Sequence, residues 1–465
     1  MIKILIQRAD RLGDLVLALP VLERLNETLP HAELHLLVSP IGKPLAATLP
    51  FIKKMIVTHS AKKKRSYWKL IQSIKHEHYS LYLSLWNHPK MAYLGFLAQI
   101  PIRIGDATNP TLRWLYTHPV PQSWKNFCKH QAFFNMELLK PLHSNALLLT
   151  KKLYINSATE EKVRLLMLKS LNPNKRVVLI FTDSGGSNLS LPEHAIKTFC
   201  DRLLENQLFN IVLIGGKQKG LSPLCFYKAK DVLNLLDHPS LPLPELMAFI
   251  KLSDFYVGPD TGPTHIASFL EKPILYFSAL KSNPPSRWGP LSSYFSIIRK
   301  DYLSPHFCKP SCNPRICLHY MTGDLLYTHF QSLLLQVQKR LPLSEKEQET
   351  RRLLHSLRVL YFVPSKLDSI RVFPLIHSLR KQGLCVFPFY WKQHSFVSLL
   401  KIITRRNINV LQGKAPLWLI KVIQFVMGVG LRYIKPVYVE EELIQGVGLH
   451  SYLRLYKEKW KQEAK

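Results

Sequence analysis

Asp260, Thr261, Gly262 and His265 stand within six positions of one another and together offer what a phosphate needs: a hydroxyl, an open backbone and a ring donor. They lie in DFYVGPDTGPTHIASFLEKPILYF, residues 254–277. Phe255 to Val257 reads as the end of a buried strand, which Gly258-Pro259 breaks. Asp260 to Gly262 make a tight corner, and Pro263 suits the first turn of a helix, where its missing N–H would be unpaired anyway. The helix continues through His265, Ile266, Ala267, Phe269 and Leu270, and Lys272-Pro273 ends it before the apolar run Ile274 to Phe277. This is a βαβ-type unit whose helix N-terminus sits at the carboxyl edge of a parallel sheet. Free N–H groups and a partial positive charge collect there, so an anion binds readily. An ordinary helix capped by Asp260 or Thr261, with His265 a satisfied surface residue, would explain part of the pattern. Capping alone does not require all four residues, and a phosphate site is the reading we carry forward.

The second candidate is Asp14. It closes the turn RADRLGD after the apolar strand Ile2 to Ile6 and opens the helical run Leu15 to Leu25, with Gly13 permitting the close turn. In an open α/β domain, ligands sit at this edge. Asp14 is then either a carboxylate facing a crevice and able to act as general base, or a helix N-terminal acid worth ~0.3–1 kcal/mol. Both readings stay open. Ser184, Gly185 and Gly186 in the loop TDSGGSN could add backbone donors to a phosphate, although Gly-Gly loops are common. In HFCKPSCNPRICLHY, Cys308, Cys312, Cys317 and His319 could supply zinc ligands. Their spacing matches no standard ribbon or knuckle, and the prolines suggest a loop over a cleft.

The elements that must position these residues alternate. Strands are expected at 34–38, 54–58 and 81–85, with helices near 42–48 and 89–98, and residues 100–150 read as loop-rich and aromatic. A helix at 158–170, strand 177–181, helix 193–207 and strand 211–214 then lead to the segment 242–254 and the phosphate motif. The periodic run Leu325 to Leu341 predicts a long helix packing back across both domains. Two Rossmann-like domains, 1–157 and 158–343, follow from this alternation. Residues 344–352 form a charged linker, and 351–465 carry 20 Lys/Arg against 6 Asp/Glu. Leu367, Asp368, Pro374 and Leu379 echo Leu12, Asp14, Pro20 and Leu25, so the extension 344–465 is expected to be basic and α/β, a decayed copy of the first strand–turn–helix.

The chain of 465 residues is 47% hydrophobic, which excludes a disordered polymer, and its net charge of +32 calls for a polyanionic partner. Seven cysteines at irregular positions make no disulfide framework. With no signal-peptide pattern, this predicts a bacterial-type cytoplasm or its membrane face. The most apolar stretch, LWLIKVIQFVMGVGL at 417–431, is broken by Lys421 and Gln424 and falls short of the ~18–20 residues a span requires. In AKKKRSYWKLIQSIKHEHYS, Lys62 to Arg65 and Lys69 interleave with Tyr67 and Trp68, which suits a membrane surface, a phosphorylated acceptor or a merely solvated face.

Taken together, RADRLGDLVLALPVLERL and DFYVGPDTGPTHIAS resemble the ADP-heptose:lipopolysaccharide heptosyltransferase family, glycosyltransferase family nine. The likeness spans about residues 1–342. It implies a GT-B fold, with an N-terminal acceptor domain and a C-terminal nucleotide-sugar domain facing across a cleft. It also implies an inverting, metal-independent transfer of heptose to the lipopolysaccharide inner core, with ADP-heptose as co-substrate and no further cofactor. By position, Asp14 matches the catalytic base, Asp260, Thr261, Gly262 and His265 the donor-phosphate motif, and Ser184 with Gly185 a second phosphate loop. The cysteine loop is similar to one in some members that have a fourth Cys near Met321. Two departures stand out. Leu189-Ser190-Leu191-Pro192 replaces Lys-x-Trp-Pro, and Lys217-Gln218-Lys219-Gly220 replaces an acidic residue that holds the ribose.

On this reading Arg8, Arg11 and the basic run, including Lys63 and Lys64, hold an anionic glycolipid acceptor at the inner face of the plasma membrane. The alternative is a non-catalytic protein of the same fold that binds anionic glycolipid there. Nucleic-acid binding rests on charge alone, without a recognised motif.

Overall fold

The computed structural model describes residues 2–58, 64–122, 129–142, 149–183, 190–215, 227–236, 241–278, 284–299 and 321–356, and the strands 358–363, 385–390, 410–413 and 437–439. Two six-stranded, wholly parallel sheets dominate it, as GT-B requires. The first contains β1 (Lys3–Arg8), β2 (Glu33–Val38), β3 (Ile52–Val57), β4 (Leu81–Ser84), β5 (Ile102–Asp106) and β6 (His118–Val120), in the order β3-β2-β1-β4-β5-β6. The second contains β7 (Arg176–Phe181), β8 (Phe209–Ile214), β9 (Val232–Asn234), β10 (Phe255–Pro259), β11 (Ile274–Ser278) and β12 (Phe295–Arg299), in the order β12-β11-β10-β7-β8-β9. Both orders reverse at their first strand. The connections leaving a strand to its left and right there cover opposite faces, and a crevice opens at the carboxyl edge.

The central strands β1 and β7, KILIQR and RVVLIF, are buried on both faces, which is why they read as continuous apolar runs. The expected loop region 100–150 instead holds β5, β6 and the helix Gln131–Glu137. β6 is three residues long and contains Pro119, which an edge strand tolerates. Among capped helices, Asn156 accepts from the Ala158 N–H at the start of Ser157–Ser170, and Thr322 accepts from Leu325 at the start of Gly323–Gln338. The latter helix packs on Glu193–Glu205 and on β11 and β12, so its main contacts stay within the second sheet rather than crossing to the first.

One buried cluster runs through both halves, joining Val16, Leu19 and Leu45 of the first to Leu246, Ile266 and Phe269 of the second. Beyond the helix Glu345–Ser356, the extension forms a third parallel sheet from β13 (Arg358–Val363), β14 (Cys385–Tyr390), β15 (Val410–Gly413) and β16 (Val437–Val439). Its order, β14-β13-β15-β16, repeats the local order β2-β1-β4-β5. The residue echoes at Leu367, Asp368, Pro374 and Leu379, and the apolar stretch 417–431, lie outside the described residues.

Candidate active site

β1 ends in Arg8, and the turn after it places Asp10, Arg11, Gly13 and Asp14 at the carboxyl edge of the first sheet. β10 ends in Pro259, and the corner after it places Asp260 and Thr261 ahead of the helix Gly262–Phe269 at the same edge of the second sheet. The two corners touch. A Cβ on Gly13 would stand 2.8 Å from His265 Cδ2, and one on Gly262 would stand 3.0 Å from the Leu12 side chain. Glycine at both positions therefore lets two backbones approach across the domain boundary. Beside this contact is a cavity of about 410 Å³, lined by Arg11 and Asp14 from the first half and by Thr261, Pro263, His265 and Trp288 from the second.

Arg8 is not an acceptor contact. It is buried at 4% exposure, with Nη2 donating to Asp14 Oδ1 at 2.6 Å and Nε 3.0 Å from Asp10 Oδ1. Its Nη1 donates to the Leu85 carbonyl. One guanidinium thus sits between two carboxylates, and a side chain so enclosed presents no face to a substrate. Burial works to lower the Arg8 pKa, but Asp10 and Asp14 outweigh it and hold the cation. Burial pushes the Asp10 carboxyl up, against the pull of Arg8 and with that of Asp14. Arg11, by contrast, is exposed at the cavity rim.

On the other side, Thr261 is the N-cap residue of its helix but makes no side-chain cap. Its hydroxyl donates to the Pro259 carbonyl at 3.3 Å, and Thr264 N–H turns back to Thr261 O at 3.1 Å. His265 is buried, with Nε2 3.9 Å from Asp260 Oδ1. Burial lowers its pKa to about 4, with Asp14 pulling the other way, so the ring is neutral near neutral pH. The Asp260 backbone N–H is fixed to the Phe277 carbonyl at 3.0 Å.

Arg287 and Trp288 escaped the sequence reading. The short helix Pro285–Trp288 follows β11, and the signal was Ser286-Arg287-Trp288-Gly289-Pro290, a cation and an aromatic beyond a strand's carboxyl end. Arg287 Nε donates to Gln131 Oε1 at 2.8 Å, and its guanidinium lies 5.0 Å from the Trp288 ring centroid. Burial draws its pKa down to about 10 while Asp14 raises it, so it stays charged near the carboxylate. A larger cavity, about 920 Å³, lies between His130, Leu291 and Arg352. It includes neither Asp14 nor His265, and its Lys129 and Glu137 are paired at 2.5 Å, so the smaller cavity is the one that gathers the residues singled out by the two motifs.

Lys64 opens the helix Lys64–His76. Lys63, Ser184, Gly185, Leu189, Lys217, Lys219, Cys308, Cys312, Cys317 and His319 lie outside the described residues. Among the described residues, no cluster of three or more metal-ligating side chains occurs, and no helix is long and apolar enough to cross a membrane.

The model of glycosyltransferase family 9 (heptosyltransferase) matches residues 67–316, more than half of the chain. A Haemophilus influenzae protein provisionally named a glycosyltransferase is 28% identical over 326 residues, covering 66% of this chain and 90% of the relative. Among solved structures, a family 9 glycosyl transferase from Veillonella parvula superposes with TM-score 0.61 at 16% identity, covering 72% of this chain and 97% of the other. The Escherichia coli ADP-heptose LPS heptosyltransferase II does so with TM-score 0.57 at 18% identity, covering 73% and 100%. These likenesses share the two-sheet fold described above.

Proposed function

Because the chain belongs to glycosyltransferase family 9, the heptosyltransferases, we propose that this glycosyltransferase moves a heptose from ADP-heptose to an anionic glycolipid of the lipopolysaccharide inner core. The transfer inverts the anomeric centre and needs no metal or resident cofactor. The observation carrying this reading is the direct apposition of Gly13-Asp14 and the His265 ring beside a cavity lined by both halves. One related structure is of an enzyme named for ADP-heptose and LPS, which supports the choice of donor and acceptor.

The donor diphosphate sits at the uncapped start of Gly262–Phe269, with the neutral His265 ring as a donor and the Thr261 hydroxyl turning to it from its 3.3 Å bond to the Pro259 carbonyl. Donors fixed in this way stabilise the charge that grows on the leaving diphosphate, and losing one costs about 3 kcal/mol in the transition state. Arg8 occupies Asp14 Oδ1, which leaves Oδ2 to take the proton of the acceptor hydroxyl as that hydroxyl attacks the anomeric carbon. Arg11, at the rim, attracts the acceptor's anionic groups, and Lys63 and Lys64 are assigned to the acceptor from the sequence alone. Ser184 and Gly185 are assigned to the phosphates on the same ground. The acceptor places the enzyme on the cytoplasmic face of the inner membrane.

The test is Asp14→Asn, assayed with ADP-heptose and a heptose-deficient lipopolysaccharide acceptor. Transfer should fall about a thousandfold while ADP binds as it does to wild type. Turnover at the wild-type rate would remove Asp14 from this role.

A further inference from the structure

The helices on one face of the first sheet carry large side chains that stand exposed among the described residues. The crossovers β3→β4, β4→β5 and β5→β6 all run in the same direction along the sheet, so right-handedness puts their helices on one face. These are Lys64–His76, Pro89–Leu97 and Pro110–Arg113. They are neighbours: Tyr67 donates its hydroxyl to the Lys90 carbonyl, Leu94 packs with Ile71 and Ile74, and Ala92 packs with Leu112 and Leu115. On their outer side Trp114 is 58% exposed, with Tyr93 and Phe96 edge-on to its indole at 6.2 and 5.3 Å between centroids. Arg103 lies over the Phe96 ring at 5.6 Å, and Trp68 on the first helix is 53% exposed. An exposed aromatic group of this kind marks a surface that binds something.

Charge says what it binds. From residue 59 to 136 the sequence has 11 Lys/Arg and only two acids, Glu77 and Asp106. Glu77 is engaged by Lys3 and Lys54, and Asp106 is buried beneath the sheet edge, accepting from Asn87 and Thr108. The three helices therefore carry Lys69, Lys90 and Arg113 at exposed positions, with no free carboxylate among their described residues. Rings with one apolar and one polar edge, ringed by cations, suit the head-group layer of an anionic bilayer.

We propose that this face docks on an anionic phospholipid surface, with Tyr93, Phe96 and Trp114 entering the head-group layer and Lys69, Lys90 and Arg113 meeting lipid phosphates. Phe96 stands at the end of its helix and Arg103 at the start of β5, so the rings lie toward the amino edge of the sheet, and the docking does not rest on the function proposed above.

The experiment is co-sedimentation of the full chain with phosphatidylglycerol/phosphatidylcholine vesicles containing no glycolipid, against pure phosphatidylcholine. Wild type should bind the anionic vesicles, and Tyr93→Ser/Phe96→Ser/Trp114→Ser should bind about tenfold less or weaker, with melting and ADP binding unchanged. Lys90→Glu/Arg113→Glu should lose binding at low salt, with a smaller difference at high salt. If the triple variant misfolds, Trp114→Phe decides, because quenching of tryptophan fluorescence by brominated lipid should drop when the indole is removed. Equal sedimentation of wild type and triple variant, which would assign binding to the basic extension, overturns the proposal. So does a wild-type dimer that Trp114→Ser converts to monomer, since a second copy would then cover the rings. Loss of transfer with vesicle binding intact would strike the enzymatic reading and leave the docking face standing.

Discussion

The two sheet edges that meet at the cleft have the same topology and opposite electrostatics. The first-sheet edge concentrates ionisable groups: Asp10 and Asp14 share Arg8, and Arg287 approaches from across the boundary. The second-sheet edge offers a helix start without a side-chain cap, a hydroxyl, and an imidazole that burial keeps neutral. One edge can accept a proton, and the other can receive an anion without changing its own charge. The same βα corner serves two purposes according to which side chains stand around the glycine, and the fold alone would not have distinguished them.

The largest expected effect strikes the first edge. Arg8→Met should leave Asp10 and Asp14 as neighbouring half-buried carboxylates without their shared cation and cost about 3 kcal/mol of folding stability. Urea melts of this variant and of Arg8→Met/Asp10→Asn give the comparison. The double variant should recover part of the loss, because one of the two like charges is gone. No recovery would mean that Arg8 matters here only through its bond to the Leu85 carbonyl.

An effect absent at neutral pH tests the second edge. In the unfolded chain His265 binds a proton near pH 6.5, and in the folded chain only near 4, so between those values the unfolded state holds more protons. Stability should be indifferent to this group above about pH 6.5, fall as pH drops from there toward 4, and level off below. The contribution is on the order of 3 kcal/mol. His265→Asn should remove that part of the slope in melts from pH 7 to 4. An identical slope would mean that the ring titrates as if exposed.

Much of this was legible in the residues. The buried central strands announce themselves as apolar runs, and Asp14, Gly262 and His265 stand at strand–corner–helix junctions where chemistry collects. What escaped was short or non-local. β6 is three residues with a proline, and β5 mixes Arg103 and Gly105 into its alternation, so neither has a strong period. Arg8 looked like a free cation because its partners include a carbonyl 77 positions away. Arg287 earns its place from Gln131, 156 positions distant, which no local pattern encodes.

The central claim is that both edges act on one ligand. A crystal structure with ADP bound tests it most directly. The account predicts the diphosphate at the start of Gly262–Phe269, within hydrogen-bonding reach of Thr261 and His265, with its terminal phosphate turned toward Asp14. A nucleotide lodged in the larger cavity by Arg352, or anywhere beyond the reach of His265, would contradict it.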